Sequence, residues 1–274
     1  MSQSANTNQI SFDWVEIPAG EFLMGSNPIE QINSYPDEAP QHQNDLPEFF
    51  MSAKPITNSQ YEKFVKSTGH KKPGHWIGGV VPEDRKDHPV TYIDWADANE
   101  FAKWCGVRLP TEAEWEKSAR GIDGRKFPWG EDDPTEQKAN FGNLIGDTTE
   151  VGIYKEGASA FGVLDLAGNV WEWTSSLHFD YPFDLTDGRE SATKWGARVV
   201  RGGNYLHSGK NIRCADRHSI FPTARDIYIG FRVVVDDLAK VNNKCEVDFE
   251  WKKIPAGKFL MGSEFTPVPG DAPD

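Results

Sequence analysis

The sequence is poor in cysteine and in positive charge, and each shortage excludes a class of protein. Its cysteines number three, an odd and low count, which excludes a small disulfide-bonded scaffold and favours a reducing compartment. Lysine and arginine together number 29 against 42 aspartates and glutamates, for a formal net charge of −13. This balance argues against nucleic acid and anionic membranes as partners, because both require clustered basic side chains.

Long apolar runs are also lacking. No run approaches the roughly 18 residues that a membrane-spanning helix needs. The first residues, 1–9, lack the charged and apolar regions of a secretory signal. We therefore expect a cytoplasmic protein that does not enter a membrane.

Aromatic side chains, by contrast, are abundant. They make up 12% of the 274 residues, with ten tryptophans, while charged residues make up 26% and the mean hydropathy is −0.60. These values are typical of a water-soluble globular protein whose core is aromatic rather than aliphatic. Short strand patterns that we expect to pair antiparallel, two main helices and very long loops predict an α+β domain with a large irregular part.

Capping patterns mark the helices most clearly. The box from Thr57 to Gln60 opens one helix, and Trp95 to Cys105 carries an apolar stripe that includes the cysteine. The strongest signal is the stretch that begins with Thr111 as N-cap, has Glu114 three residues later and ends at Gly121. The acidic residues of this helix are explained by capping and by its dipole at least as well as by catalysis.

Residues 161–174 hold two tryptophans, two carboxylates and a turn signal in fourteen positions. Gly168 and Asn169 both tolerate positive φ, which predicts a turn. Beyond it the residues alternate, so Trp171 and Trp173 are expected on one face of a strand. We expect the rest of the chain to be organised around this stretch.

A turn at Gly168 would bring Asp165 back towards Glu172. Two carboxylates beside free turn carbonyls, such as those of Gly168 and Val170, form an oxygen cage suited to a hard cation, and calcium matches it best. The alternative is that both carboxylates only accept backbone hydrogen bonds within a tryptophan-rich core.

The end of the sequence repeats its beginning. Residues 249–263 nearly duplicate residues 12–26 at an offset of 237 positions. This predicts a flexible N-terminus over 1–11, a complete domain over 12–236, a linker over 237–248 and the start of a second, truncated repeat over 249–274. A tail strand that pairs with the first domain is the alternative.

Seven spaced motifs can be read together. They are Ile17-Pro-Ala-Gly-Glu-Phe-Leu-Met-Gly25, Arg108-Leu-Pro-Thr-Glu-Ala-Glu-Trp115, Pro128-Trp-Gly130, Phe161-Gly162, Gly168-Asn-Val-Trp-Glu-Trp173, Arg201-Gly-Gly203 and Gly230-Phe-Arg232. In this order, over residues 12–236, they resemble the formylglycine-generating enzyme, or sulfatase-modifying factor, family. The resemblance implies a variant of the C-type-lectin-like fold, low in regular secondary structure and held partly by calcium.

The resemblance also implies where calcium would bind. One site would use the positions Asp165, Gly168, Val170 and Glu172. A second would use Asn140 and Phe141 with an acidic partner further along the chain, for which Asn143 or Asp147 could serve.

The copper site of the family is where this sequence departs from it. The family's oxidases hold copper with two cysteines shortly after the Arg-Gly-Gly strand, and soft copper(I) requires those thiolates. Residues 204–213 contain no cysteine, His207 stands about where the first would fall, and Cys214 matches a separate, structural position. Copper and formylglycine formation are therefore not expected. His207, Cys214 and His218 are weak catalytic candidates.

Two functions from different classes follow. The first is a non-catalytic, calcium-stabilised module that binds a protein, peptide or other ligand through its loops, within a larger assembly. The second is an oxidoreductase that modifies a protein or peptide at a metal site remodelled around His207 and Cys214. Another enzyme activity is a third possibility. The sequence shows no nucleophilic serine or cysteine beside a base that would support such an activity.

Overall fold

The computed structural model describes residues 10–29 and 34–241 together with the strand Cys245–Asp248. Within these residues the chain forms ten strands and three α-helices. The strands are β1 (Ile10–Ile17), β2 (Gly20–Met24), β3 (His42–Leu46), β4 (Phe49–Ser52), β5 (Trp171–Leu177), β6 (Arg198–Arg201), β7 (Arg217–Ile220), β8 (Ile229–Phe231), β9 (Val234–Val235) and β10 (Cys245–Asp248). The helices are α1 (Asn58–Thr68), α2 (Trp95–Cys105) and α3 (Glu112–Arg120).

Local sequence explains where the helices begin. Thr57, Asp94 and Thr111 are the N-caps of α1, α2 and α3, and each is part of a reciprocal capping box. The three helices are of similar length, with 11, 11 and 9 residues, rather than two main ones. In the described part of the chain, no helix has the length and apolarity needed to cross a bilayer.

The strands form three small sheets. Their orders are β10-β1-β4-β9, β2-β3 and β7-β6-β5-β8. Most neighbours are antiparallel, whereas β1 with β10 and β5 with β8 are parallel. Short, mainly antiparallel strands, three helices and long loops confirm the α+β class. The third sheet contains the tryptophan strand at its centre, between β6 and β8.

Aromatic rings fill the space between α1, α2 and the third sheet. Tyr61 of α1 stacks on Phe101 of α2 with centroids 5.7 Å apart, and Phe231 of β8 meets Phe101 edge-on at 5.3 Å. All three side chains are fully buried, as is Trp173. Edge-to-face and offset contacts of this kind add to the free energy gained from apolar burial.

Helix α3 is joined to the rest of the molecule by buried ion pairs. Glu112 receives two hydrogen bonds from Arg217 at 2.7 and 2.8 Å, and Glu116 binds both Arg120 and Arg201. These side chains are essentially inaccessible to solvent. Of the three acidic residues on this helix, only Glu114 belongs to the cap, so the capping explanation does not extend to Glu112 and Glu116.

The strand β10 lies within the stretch 237–248 that the sequence predicts to be a linker. It runs parallel to β1, with Ile10 opposite Cys245 and Phe12 opposite Val247. These four linker residues therefore extend the first sheet of the domain. Residues 1–9 of the expected flexible terminus and the repeat over 249–274 lie outside the described residues.

We expect Glu112→Gln to lower the free energy of unfolding by about 3–5 kcal/mol, because it leaves the Arg217 guanidinium buried beside an uncharged group. Urea unfolding followed by tryptophan fluorescence measures this loss. Glu100→Gln is the matched control, since Glu100 pairs with Lys103 on the solvent-exposed face of α2 and should change stability little. Equal losses in the two variants would contradict the role assigned to the buried pair.

Candidate functional site

The turn at Gly168 and Asn169 has the geometry that the sequence predicts. Their φ angles are 77° and 61°, and the Asn169 N–H donates to the Asn140 carbonyl at 2.8 Å. A Cβ at Gly168 would lie 2.2 Å from that same carbonyl oxygen, so only glycine fits there. The turn thereby places residues 161–174 directly on the loop that contains Asn140.

Glu172 of the tryptophan strand is fully buried and already neutralised. Arg232 donates to both of its carboxylate oxygens at 2.6 and 2.7 Å, and the Trp115 indole N–H donates to one of them at 2.7 Å. The guanidinium therefore stands where a cation bound to this carboxylate would stand. This donor set does not fit Glu172 as a calcium ligand.

Asp165 is buried without a comparable partner. It has a φ of 56° and accepts a hydrogen bond from the Gly152 N–H. Burial raises the pKa of its carboxyl to about 6, because this single bond and the more distant Arg232 offset only part of the cost of desolvation. A cation bound to this carboxylate would supply the missing charge, so the surroundings of Asp165 fit a calcium ligand.

In the second expected cation site, too, only some of the predicted ligands have surroundings that fit a cation. The Asn140 amide nitrogen donates to the Asp147 carbonyl at 2.8 Å, while its side-chain oxygen is buried and accepts no hydrogen bond from the described residues. The Asp147 carboxylate instead pairs with Arg85 at 2.6 Å. The Phe141 carbonyl accepts from Leu144 at 3.3 Å. Asn140 thus fits a cation ligand and Asp147 does not.

Two of the catalytic candidates line one cavity of about 310 Å³. Trp171 begins β5, His218 lies on β7, and His207 follows β6. The Trp171 ring stacks on His218 with centroids 5.8 Å apart and meets His207 edge-on at 5.4 Å. The other lining residues are Tyr35, Asp37, Asn211, Asp216 and Arg217.

One ionisable group of this cavity is a charged carboxylate: a hydrogen bond with His178 and the nearby Arg217 guanidinium lower the pKa of Asp37. Burial lowers the pKa of His207 and of His218, so both imidazoles are neutral at pH 7. Burial raises the pKa of Asp216 to about 8, which keeps that carboxyl protonated. The charge of Arg217 is balanced by Glu112. The cavity therefore offers an indole, two neutral imidazoles and the Asp37 carboxylate to a ligand.

Cys214 does not belong to the cavity. It is completely buried in the apolar cluster that also contains Trp115 and Leu166. Burial raises the pKa of its thiol to about 12, so the thiolate that would bind a metal or attack a substrate is scarcely populated. Among the described residues, no three His, Cys, Asp or Glu side chains are placed to hold one metal ion.

Sequence reasoning missed part of the cavity wall. Trp171 and Trp173 belong to the same buried apolar cluster, as expected for one face of a strand, but Trp171 also lines the cavity. Both lie in one buried strand, and nothing local distinguishes them. Tyr35 and Asp37 come from an irregular loop more than 130 residues away in sequence, and only tertiary structure brings them here.

A family model described as a sulfatase-modifying factor enzyme 1-like domain matches residues 2–237. The chain belongs to this family. It is 32% identical over 260 residues to a hercynine oxygenase of Mycolicibacterium smegmatis, with 81% of this chain and 61% of the relative covered. It is 30% identical over 285 residues to the formylglycine-generating enzyme of Mus musculus, with 82% and 75% covered.

A solved structure, PvdO from Pseudomonas aeruginosa, has the same fold. The TM-score is 0.67 at 27% identity, over 81% of this chain and 93% of that one. This confirms the formylglycine-generating-enzyme type of fold. The hercynine oxygenase is the longer protein, since the match spans 61% of its length.

We expect Cys214 to resist alkylation in the native protein, because burial both hides the thiol and raises its pKa. Iodoacetamide at pH 8, followed by digestion and mass spectrometry, should leave the peptide that contains Cys214 unmodified while the same peptide alkylates readily in urea. Rapid native alkylation would show that this thiol is accessible and would restore it as a metal-ligand candidate.

Proposed function

We propose that this domain binds a protein, peptide or other ligand, within a larger assembly, through the cavity formed by Trp171, His207 and His218. The observation that carries this proposal is the separation of the two kinds of group. The imidazoles and the indole line an open cavity, whereas the thiol of Cys214 is in the core. A cavity whose wall is formed largely by an indole and two neutral imidazoles suits an apolar or aromatic ligand group, such as a peptide side chain.

The size of the relatives supports a role within a larger protein. The matching hercynine oxygenase extends well beyond the region that this chain covers. The repeat of residues 12–26 at 249–263 also points to more than one copy of the domain. The odd, low cysteine count of the sequence supports a cytoplasmic location for the domain.

Calcium is part of the proposal at two positions. Asp165 would supply a carboxylate beside the carbonyls of Gly168 and Val170, and Asn140 would supply its unpartnered amide oxygen. Bound calcium would neutralise the buried Asp165 and fix the turn on the Asn140 loop. Glu172 and Asp147 are left out of these sites, since arginines hold them.

The alternative function is an oxidoreductase that modifies a protein or peptide. Two observations favour it: one relative is named as an oxygenase and another as a formylglycine-generating enzyme, and His207 and His218 line one cavity. A metal held by these imidazoles would need further ligands from the substrate or from another chain. The metal would supply redox chemistry there, while Trp171 would position the substrate beside it.

Elemental analysis and oxygen consumption separate the two functions. We expect no stoichiometric copper or iron in the purified protein and no oxygen consumption with cysteine-containing peptides. Peptides that bind in an array screen should bind His218→Ala roughly tenfold more weakly, and the exposed-helix control Lys103→Ala as well as the wild type. The binding-module proposal would be contradicted if the wild type contained stoichiometric copper or iron and His207→Ala did not.

Asp165 predicts a pH effect with a defined sign. Its folded-state pKa of about 6 lies above the ordinary value of 3.8, so in chelator its contribution to stability falls as pH rises from about 4 to 6. Asp165→Asn preserves the size and the tolerance of positive φ. In chelator at pH 7.5 it should raise the free energy of unfolding by about 1–3 kcal/mol.

Calcium should reverse this penalty. Adding calcium should raise the unfolding midpoint of the wild type, and the gain should be smaller in Asp165→Asn because the ligand charge is lost. The raised pKa of Asp216 changes the pH dependence of stability in the same direction. Because Asp216 is present in both proteins, the difference in stability between wild type and Asp165→Asn across pH reports Asp165 alone. Identical calcium responses in both proteins would rule out Asp165 as a ligand.

A further inference from the structure

A second cavity, of about 370 Å³, lies beyond the turn that carries His207. Tyr205, two residues earlier, lines this second cavity together with His75, Arg85, His88, Tyr92 and Asp147. None of these side chains lines the first cavity. Asp147, which the sequence analysis assigned to calcium, thus lines this second cavity. So do residues of the loop between α1 and α2, which have no role in the proposed function.

Tyr92 is held in an unfavourable backbone conformation at this cavity. Its φ is 57°, in the left-handed region that bulky side chains avoid. The Tyr92 N–H donates to the Asp226 carbonyl at 2.9 Å, and Arg225, which also pairs with Asp94 at 2.7 Å, donates to the Tyr92 carbonyl at 3.4 Å. Strain that is retained by a dedicated network is typical of ligand-contacting residues.

The strained turn fixes an aromatic wall. The Tyr92 ring stacks on His75 with centroids 5.0 Å apart and planes 28° apart. Ile227, which is 38% exposed, adds an apolar surface to the same cavity. The wall is therefore in place before a ligand arrives, which reduces the entropy lost on binding.

The charges at the cavity cancel. Arg85 and Asp147 form an ion pair at 2.6 Å, with side chains 32% and 48% exposed. Burial and the nearby Arg85 charge lower the pKa of His75 to about 4, and burial lowers that of His88, so both imidazoles are neutral. A cationic ligand in this cavity would be repelled by Arg85, and an anionic ligand would be repelled by Asp147. The cavity therefore favours an uncharged ligand.

The polar groups of the wall mostly both donate and accept hydrogen bonds. A neutral imidazole does so through its two nitrogens, and a phenol through its hydroxyl. The Nδ1 atom of His75 is buried and has no hydrogen-bond partner among the described residues. The arginine and carboxylate beside it add fixed donors and acceptors. Ligand hydroxyls, which also both donate and accept, match such a lining.

We propose that this second cavity binds an uncharged, hydroxyl-bearing ring, the chemistry of a neutral sugar unit, with the ring's C–H face on the aromatic wall of Tyr92 and His75 and its hydroxyls on the polar groups that line the cavity. The aromatic wall and Ile227 contact the apolar face of such a ring. The donors and acceptors of the cavity form hydrogen bonds with the hydroxyl groups at the ring's edge. This binding does not depend on the function proposed for the first cavity.

The test is ligand-observed NMR on the purified chain with free neutral monosaccharides: glucose, galactose, mannose and N-acetylglucosamine. Glucuronate and glucosamine are the matched charged compounds. At least one neutral sugar should bind, with Kd on the order of 1 mM, and its charged counterpart should bind about tenfold more weakly. Binding should be unchanged between pH 6 and 8, since His75 stays neutral throughout that range.

Variants locate the site. His75→Ala and Tyr92→Asn should each weaken sugar binding about tenfold, whereas Lys71→Ala, on the exposed part of the same loop, should not. Asparagine tolerates positive φ, so Tyr92→Asn removes the ring without adding strain, and unfolding midpoints check both folds. The proposal is overturned if no neutral sugar binds, if a charged sugar binds better, or if both variants bind like the wild type.

Discussion

Buried carboxylate–guanidinium pairs hold the irregular half of this molecule together. Arg201, Arg217 and Arg232 have essentially inaccessible side chains, and they bind Glu116, Glu112 and Glu172. Each arginine also donates to main-chain carbonyls of loops, for example Arg232 to Leu164 and Arg201 to Ala215. Loops without regular secondary structure cannot satisfy their own carbonyls, and the arginine forks do this for them.

The same pairs decide where other cations can bind. A carboxylate that already faces a guanidinium gains little from a metal ion, because the second positive charge would meet the first. Glu172 and Asp147 are in this position. Asp165 and Asn140 are not, and the calcium that we propose is confined to them. The two imidazoles and Trp171, by contrast, form a cavity wall of neutral rings, with the Asp37 carboxylate beside them.

Much of the fold follows from short-range sequence signals. The capping boxes at Thr57 and Thr111 and the glycine–asparagine turn at Gly168 are each encoded within a few residues, and the structure confirms them. Local signals suffice because capping and φ preferences are local energies. The order of the seven motifs likewise identified the family and its fold.

The chemistry of the sites was less predictable. Glu172 and Arg232 are 60 residues apart, and Asp147 and Arg85 are 62 apart. Which arginine neutralises which acid is decided by tertiary packing, and no spacing rule gives it. The positive φ of Tyr92 could not be predicted for a related reason. Tyrosine does not favour the left-handed region, so the sequence around it carries no turn signal.

The parallel pairing of β10 with β1 has a mechanical consequence. The two strands run side by side in the same direction, with Ile10 opposite Cys245 and Asp13 opposite Asp248. A force that pulls on the start of β1 and on the end of β10 acts along the strands and loads their hydrogen bonds together, in shear. Strands opened from one end break these bonds one at a time and yield at lower force. A force applied between the start of β1 and the end of β10 would therefore meet high mechanical resistance at this pairing.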